Sequence, residues 1–131
     1  MNGYMSKQLT RGSPPVPLRD AARLKVSAHM SDIPDRATLL LSLQRALLGE
    51  VHAALRQASI EVDPICLVIR LRFEYDGVPS DDVQDSCSSV AAEVISDFPA
   101  PWRLDEQHLV NSCPAALAPL AHVAYRRAEP R

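Results

Sequence analysis

From Leu67 to Tyr75 the apolar residues occupy alternate positions, Leu67, Ile69, Leu71, Phe73 and Tyr75, with Arg70, Arg72, Glu74 and Asp76 on the other parity. Successive side chains of a strand point to opposite faces, so this pattern predicts a strand with one face on a core and one charged face outward. Asp76-Gly77 turns the chain, Pro79 stiffens the exit, and from Ser80 the hydrophobic period changes from two to nearly four. At helical spacing, Val83, Cys87, Val90, Ala91, Val94 and Phe98 fall on one side, and Asp82, Asp85, Ser86, Ser89, Glu93 and Asp97 on or near the other. Asp81 and Asp82 stand in the first turn, where the helix dipole favours negative charge, and Pro99 ends the helix.

The rest of the chain is expected to pack around this strand and helix. Pro34 to about Gln57 reads as a first helix, with Asp32 as its cap and Leu40, Leu43, Leu47, Leu48, Val51 and Leu55 as its buried stripe. Arg45, His52 and Arg56 gather on its flank, and Gly49 interrupts it at about 1 kcal/mol relative to alanine. Ser59 to Asp63 predicts a short strand, joined through Asp63-Pro64 to the long one as a hairpin with Ile60 opposite Ile69 and Val62 opposite Leu67. Trp102 to Val110 is a poorer strand whose apolar parity is broken by Glu106, Asn111 to Pro119 is a loop, and Leu120 to Arg127 is a final strand. The expected class is α+β, a two-layer sandwich of order α-β-β-α-β-β, with both helices on one face of a four-stranded sheet. A right-handed crossover through the second helix makes the second and third strands parallel.

Charge divides the chain unevenly. Residues 1–30 hold Lys7, Arg11, Arg19, Arg23 and Lys25 against Asp20 alone, a balance of +4, whereas residues 31–131 carry −6. All three methionines, Met1, Met5 and Met30, lie in the basic segment, together with Pro14, Pro15 and Pro17. We therefore expect residues 1–30 to be a basic leader or tail, and residues 31–131 to be one α+β domain that starts near Met30. An acidic domain repels phosphates, which disfavours nucleic acid as a partner. No apolar run is long enough to span a membrane or serve as a signal sequence, so the expected address is cytoplasmic. Cys66, Cys87 and Cys113 lack metal-ligand spacing, and three reduced thiols are expected.

Candidate chemistry is sparse. His52, His108 and His122 come from three predicted elements, and two converging histidines can act as acid and base in phosphodiester cleavage. Against this, His108 lies on an apolar parity, where a hydrogen-bonded structural histidine is commoner. Of Asp105, Glu106 and His108, only the last two share a strand face, and two ligands make a weak metal site. Cys87 has the serine neighbours of a nucleophile but sits on the apolar helix face, which makes it a core residue. No catalytic set, cofactor or metal is therefore assigned. The most distinct surface is the acidic face formed by Asp82, Asp85, Glu93 and Asp97, a docking patch for a basic protein. The outer sheet face with Arg70 and Arg72 is a second candidate contact, with another sheet or chain.

At LRFEYDGVPS, VAAEVISDFP and the closing AYRRAEP, the sequence resembles a group of small bacterial proteins of about a hundred residues, over roughly Leu39 to Pro130. In size, acidity and α/β makeup these are similar to immunity proteins of bacterial toxin systems, including contact-dependent growth inhibition. The resemblance implies a non-catalytic binding module whose basic partner is a toxin domain, and it carries over no functional residue. Two alternatives remain open at this point: a small hydrolase or nuclease using the histidines, and a homodimer joined along an edge strand.

Overall fold

A computed structural model describes the backbone of residues 4–10 and all of residues 33–130. The elements are β1 (Tyr4–Thr10), α1 (Arg36–Leu47), β2 (Leu55–Asp63), β3 (Val68–Tyr75), α2 (Asp81–Ser96), β4 (Arg103–Val110) and β5 (His122–Arg126). The expected α-β-β-α-β-β order holds from α1 onward. Its four strands form a mixed sheet in the order β4-β3-β2-β5, with β3 and β4 parallel across the α2 crossover and the other neighbours antiparallel. Tyr4–Thr10, inside the stretch expected to be a leader, adds a fifth strand antiparallel to β4.

Both helices cover the same face of the sheet. Leu39, Leu43 and Leu47 of α1 and Val83, Cys87, Val90 and Val94 of α2 share one core with Ile60, Ile69, Leu71, Phe73 and Leu104 of the strands. The Ser80 hydroxyl caps α2 by accepting from the Val83 N–H at 3.3 Å, as the sequence predicts. The cap expected at Asp32 lies outside the described residues; Asp35 caps α1, its carboxylate accepting from the Thr38 N–H at 2.8 Å.

The first helix is shorter than its hydrophobic pattern suggested. Leu48 is extended, Gly49 takes a φ of 78° that suits a residue without Cβ, and the chain leaves the helix ten residues before Gln57. Leu55 does reach the core, but as the first residue of β2, while Leu48 and Val51 are exposed. The expected basic flank is split accordingly: Arg45 stays on α1, His52 falls in the turn, and Arg56 is buried in β2.

The hairpin pairs Ile60 with Leu71 and Val62 with Ile69, two residues on from the expected register. Its turn is Pro64 to Leu67, because the Asp63 carboxylate accepts from the N–H groups of Ile65 and Cys66 and Leu67 takes a left-handed φ of 56°. A shift of two preserves side-chain parity, so the apolar residues still face the core.

The opposite face of the sheet is covered by the chain itself. Between Leu55 and Gln57 a bulge inserts Arg56, which lets Leu55 and Ala58 both face the core. Arg56 is only 3% exposed. Its guanidinium donates to both carboxylate oxygens of Glu129, at 2.6 and 2.7 Å, and to the carbonyls of Asn111 and Ala115. Glu74, fully buried nearby, accepts from the Gln57 and Asn111 amides and from the Ala118 N–H at 2.6 Å. Leu120 N–H donates to the Ser59 hydroxyl, and Arg127 reaches both Asp76 and Glu129. The loop after β4 and the end of the chain are thus strapped across β2 and β3.

Two predictions follow from these contacts. Phe73 is wholly buried, and Phe73→Ala is expected to cost about 3–5 kcal/mol in urea unfolding. Glu129, held by Arg56 and Arg127, is pulled from 4.5 down to about 2. A depressed carboxylate stabilises the fold above its unfolded value and loses that contribution as pH falls through its folded value. The melting-temperature gap between wild type and Glu129→Gln should therefore be full at neutral pH, shrink below 4.5 and vanish near 2.

Candidate partner-binding surface

On the outward side of α2, Asp82, Asp85 and Glu93 are exposed, and none of their carboxylates makes a hydrogen bond or ion pair among the described residues. Asp81 is exposed beside them in the first turn, where helix N–H groups offset its charge. Asp97 differs from these, because at the C-cap it accepts from the Ser42 hydroxyl at 2.6 Å and from Arg45 at 3.2 Å, tying α2 to α1. An open groove of about 290 Å³ runs between the helices here, lined by Ser42, Arg45, Ala46, Glu93, Ser96 and Asp97. Four of the expected contact residues therefore lie on one layer of the molecule.

Arg70 and Arg72 lie on the other layer and are engaged internally. Arg70 donates to Asp63 at 2.9 Å and to Glu61 at 3.4 Å, and lies 3.8 Å from Asp105. Arg72 donates to the Gln107 side chain and to the Ala118 carbonyl at 2.6 Å. The loop carrying Ala118 covers this part of the sheet, where the sequence suggested a surface open to a second chain.

The three histidines do not meet. The His52 Nε2 is 2.9 Å from the Ser86 hydroxyl and joins the turn after α1 to α2. His122 opens β5 at the sheet edge, three strand spacings from β4, or about 14 Å. His108, in β4, is buried and stacks between Phe73 and Tyr75 with ring centroids 5.3 and 5.8 Å away.

Around His108 the structure builds a polar chain that sequence reasoning missed as a unit. The Tyr75 hydroxyl is 2.6 Å from Nδ1, Glu106 is 2.5 Å from Nε2, and the Ser88 hydroxyl donates to Glu106 at 2.7 Å. Burial pushes the Tyr75 phenol far above its usual range, with Cys87 and Glu106 adding to the effect. The phenol therefore stays protonated and shares a hydrogen bond with Nδ1, while Nε2 faces the Glu106 carboxylate. Burial also pushes the Cys87 thiol up to about 11, so at neutral pH it is a thiol in the core rather than a thiolate. This arrangement registers α2 against β3 and β4. Its one signal in the sequence was the apolar parity broken at Glu106, since a carboxylate on a core face needs partners.

No helix among the described residues is long and apolar enough to cross a membrane, and no group of three or more His, Cys, Asp or Glu among them is placed to hold a metal ion. No curated protein matches the chain. A family model described as MafI2 immunity protein does match, over residues 36–129. That segment runs from the first residue of α1 to the carboxylate that closes on Arg56, and so takes in both helices, β2 to β5 and the strap across the sheet. With the match spanning most of its length, the chain belongs to the MafI2 immunity protein family, the immunity proteins of a toxin system.

Proposed function

We propose that the chain neutralises its cognate toxin by docking the acidic face of α2 on a basic surface of the toxin domain, with no chemistry of its own. The observation that carries this is the row of exposed carboxylates at Asp82, Asp85 and Glu93, which have no partner among the described residues. On the far side of the sheet Arg70 is engaged by Glu61 and Asp63 and Arg72 by Gln107 and the Ala118 carbonyl. Unpaired like charges on one helix repel one another, and a cationic partner relieves that repulsion while speeding encounter and selecting against acidic proteins. Asp97 stands at the margin of the patch, already shared with Arg45. Arg70 and Arg72 face away from α2 and take no part in this docking.

The segment matched by the family begins at residue 36. The proposed contact lies wholly within that segment.

The test is a binding measurement with the toxin domain encoded beside this chain, together with survival of cells that express both. Replacing Asp85 and Glu93 by lysine should weaken the complex about tenfold or more at low salt, and the loss should shrink at high salt as screening removes the attraction. Because both side chains are exposed, the melting temperature should stay close to that of wild type. Unchanged affinity with the fold intact would move the interface off α2.

A further inference from the structure

The turn between α1 and β2 carries His52, whose Nε2 shares a hydrogen bond of 2.9 Å with the hydroxyl of Ser86 in α2. That turn is itself pinned to the sheet layer. The His52 carbonyl accepts from the Leu55 N–H at 3.0 Å, the Ala53 carbonyl from the Arg127 guanidinium at 2.7 Å, and the Ala54 carbonyl from the Asp76 N–H at 2.8 Å. A partly buried ring on so well-anchored a backbone is a fixed reference against which the helix is set. Glu50, on the same turn, lies near enough to α2 for its charge to help raise the Cys87 thiol. Elsewhere α2 is held at its C-cap, where Asp97 accepts from Ser42 and Arg45, and toward β4, where Ser88 donates to Glu106. His52 meets the helix at a different place, its N-terminal half on the side toward α1.

Ser86 follows Asp85 directly and stands one helical turn after Asp82. Side chains four apart on a helix are neighbours, with about 5–6 Å between their Cβ atoms, so a contact made at Ser86 acts on the stretch that bears both carboxylates. We infer that His52 is a positioning residue for the toxin contact, acting through Ser86 to fix the placement of Asp82 and Asp85 rather than by touching the toxin; the inference rests on the docking of α2 proposed above. Asp81, Asp82 and Asp85 carry like charges within two turns, and their repulsion favours spreading of this end of the helix. A hydrogen bond to a turn that cannot follow opposes that spreading. A surface already held in its bound arrangement loses less freedom when the partner docks, and the gain appears as affinity.

The test is a titration of the full chain with the toxin domain encoded beside it, as wild type, H52A, H52Q, S86A, H52A/S86A, D82N/D85N and H52A/D82N/D85N. H52A and S86A should each weaken binding about fivefold, and the double variant no more than either, because the same hydrogen bond is lost in all three. H52Q should bind within about twofold of wild type, since its amide can bond the same hydroxyl as donor or acceptor. In D82N/D85N, already weakened, H52A should add nothing further, a coupling that a general loss of stability does not produce. If H52A weakens binding and S86A does not, the ring touches the toxin directly and the positioning role is overturned. The role is overturned as well if H52A binds within about twofold of wild type, or costs as much without the two carboxylates as with them; the docking of α2 then stands on the loss in D82N/D85N. If D82N/D85N itself binds as wild type, that docking fails and the positioning role fails with it. Should H52A not fold, S86A replaces it in both backgrounds, since Ser86 is partly exposed and alanine suits a helix interior.

Discussion

Arg56 is the point on which the outer half of the structure closes. A guanidinium removed from water costs several kcal/mol unless its donors are satisfied. Here the bulge in β2 delivers it to a pair of carboxylate oxygens and two carbonyls that come from the far end of the chain and from the loop after β4. The arrangement works in both directions. Arg56 is tolerable in the interior only because Glu129 arrives, and the loop and the terminus are ordered because Arg56 and Glu74 give their polar groups partners. Two of the three stretches that carry the family resemblance meet at this place. LRFEYDGVPS supplies Glu74 and Asp76, and AYRRAEP supplies Arg126, Arg127 and Glu129. Those two motifs hold the outer face of the sheet together.

On the helix side the sheet is joined to α2 by a second polar chain, Ser88 to Glu106 to His108 to Tyr75, beside an otherwise apolar core. An apolar contact resists sliding only weakly, whereas a hydrogen-bonded chain is satisfied in one register. The consequence for function is positional. The face of α2 that bears Asp82, Asp85 and Glu93 is turned outward because the opposite face is fixed by Cys87 and Ser88 against β3 and β4.

The elements that could be read from the sequence are those whose two faces differ. In β3 and α2 charged residues alternate with apolar ones at a clear period, and both elements, the Ser80 cap and the parallel crossover stand as expected. Elsewhere the pattern was ambiguous for a physical reason. In the run from Leu39 to Leu55 nearly any period finds a leucine, so periodicity could not separate helix from turn, and the stop was set by the backbone of Leu48 and Gly49. The hairpin register depended on the backbone of Leu67, which no side-chain pattern reports. β1 has the weak alternation of YMSKQLT within a basic, proline-bearing stretch, and its pairing with β4 is a long-range contact without a local signal. The acidic candidate site was legible because charge is visible at every position. The exposure of Leu41 and Leu48 was not, because in a leucine-rich run the pattern does not show which leucines face the core.

The acidic residues fall into two groups, those paired within the fold and those left exposed on α2. Glu61, Asp63, Glu74, Asp76, Glu106 and Glu129 are each hydrogen-bonded or ion-paired within the fold, and the favourable pull on Asp63, Asp76 and Glu129 lowers their pKa values below the usual carboxylate range. The carboxylates of Asp82, Asp85 and Glu93 have no partner among the described residues, and like charges along one helix cost stability in the free protein. The helix dipole offsets this cost only in the first turn, at Asp81 and Asp82. Asp85 and Glu93 lie beyond it. The fold thus satisfies its buried charges internally and leaves the carboxylates of Asp85 and Glu93 exposed, without a partner among the described residues.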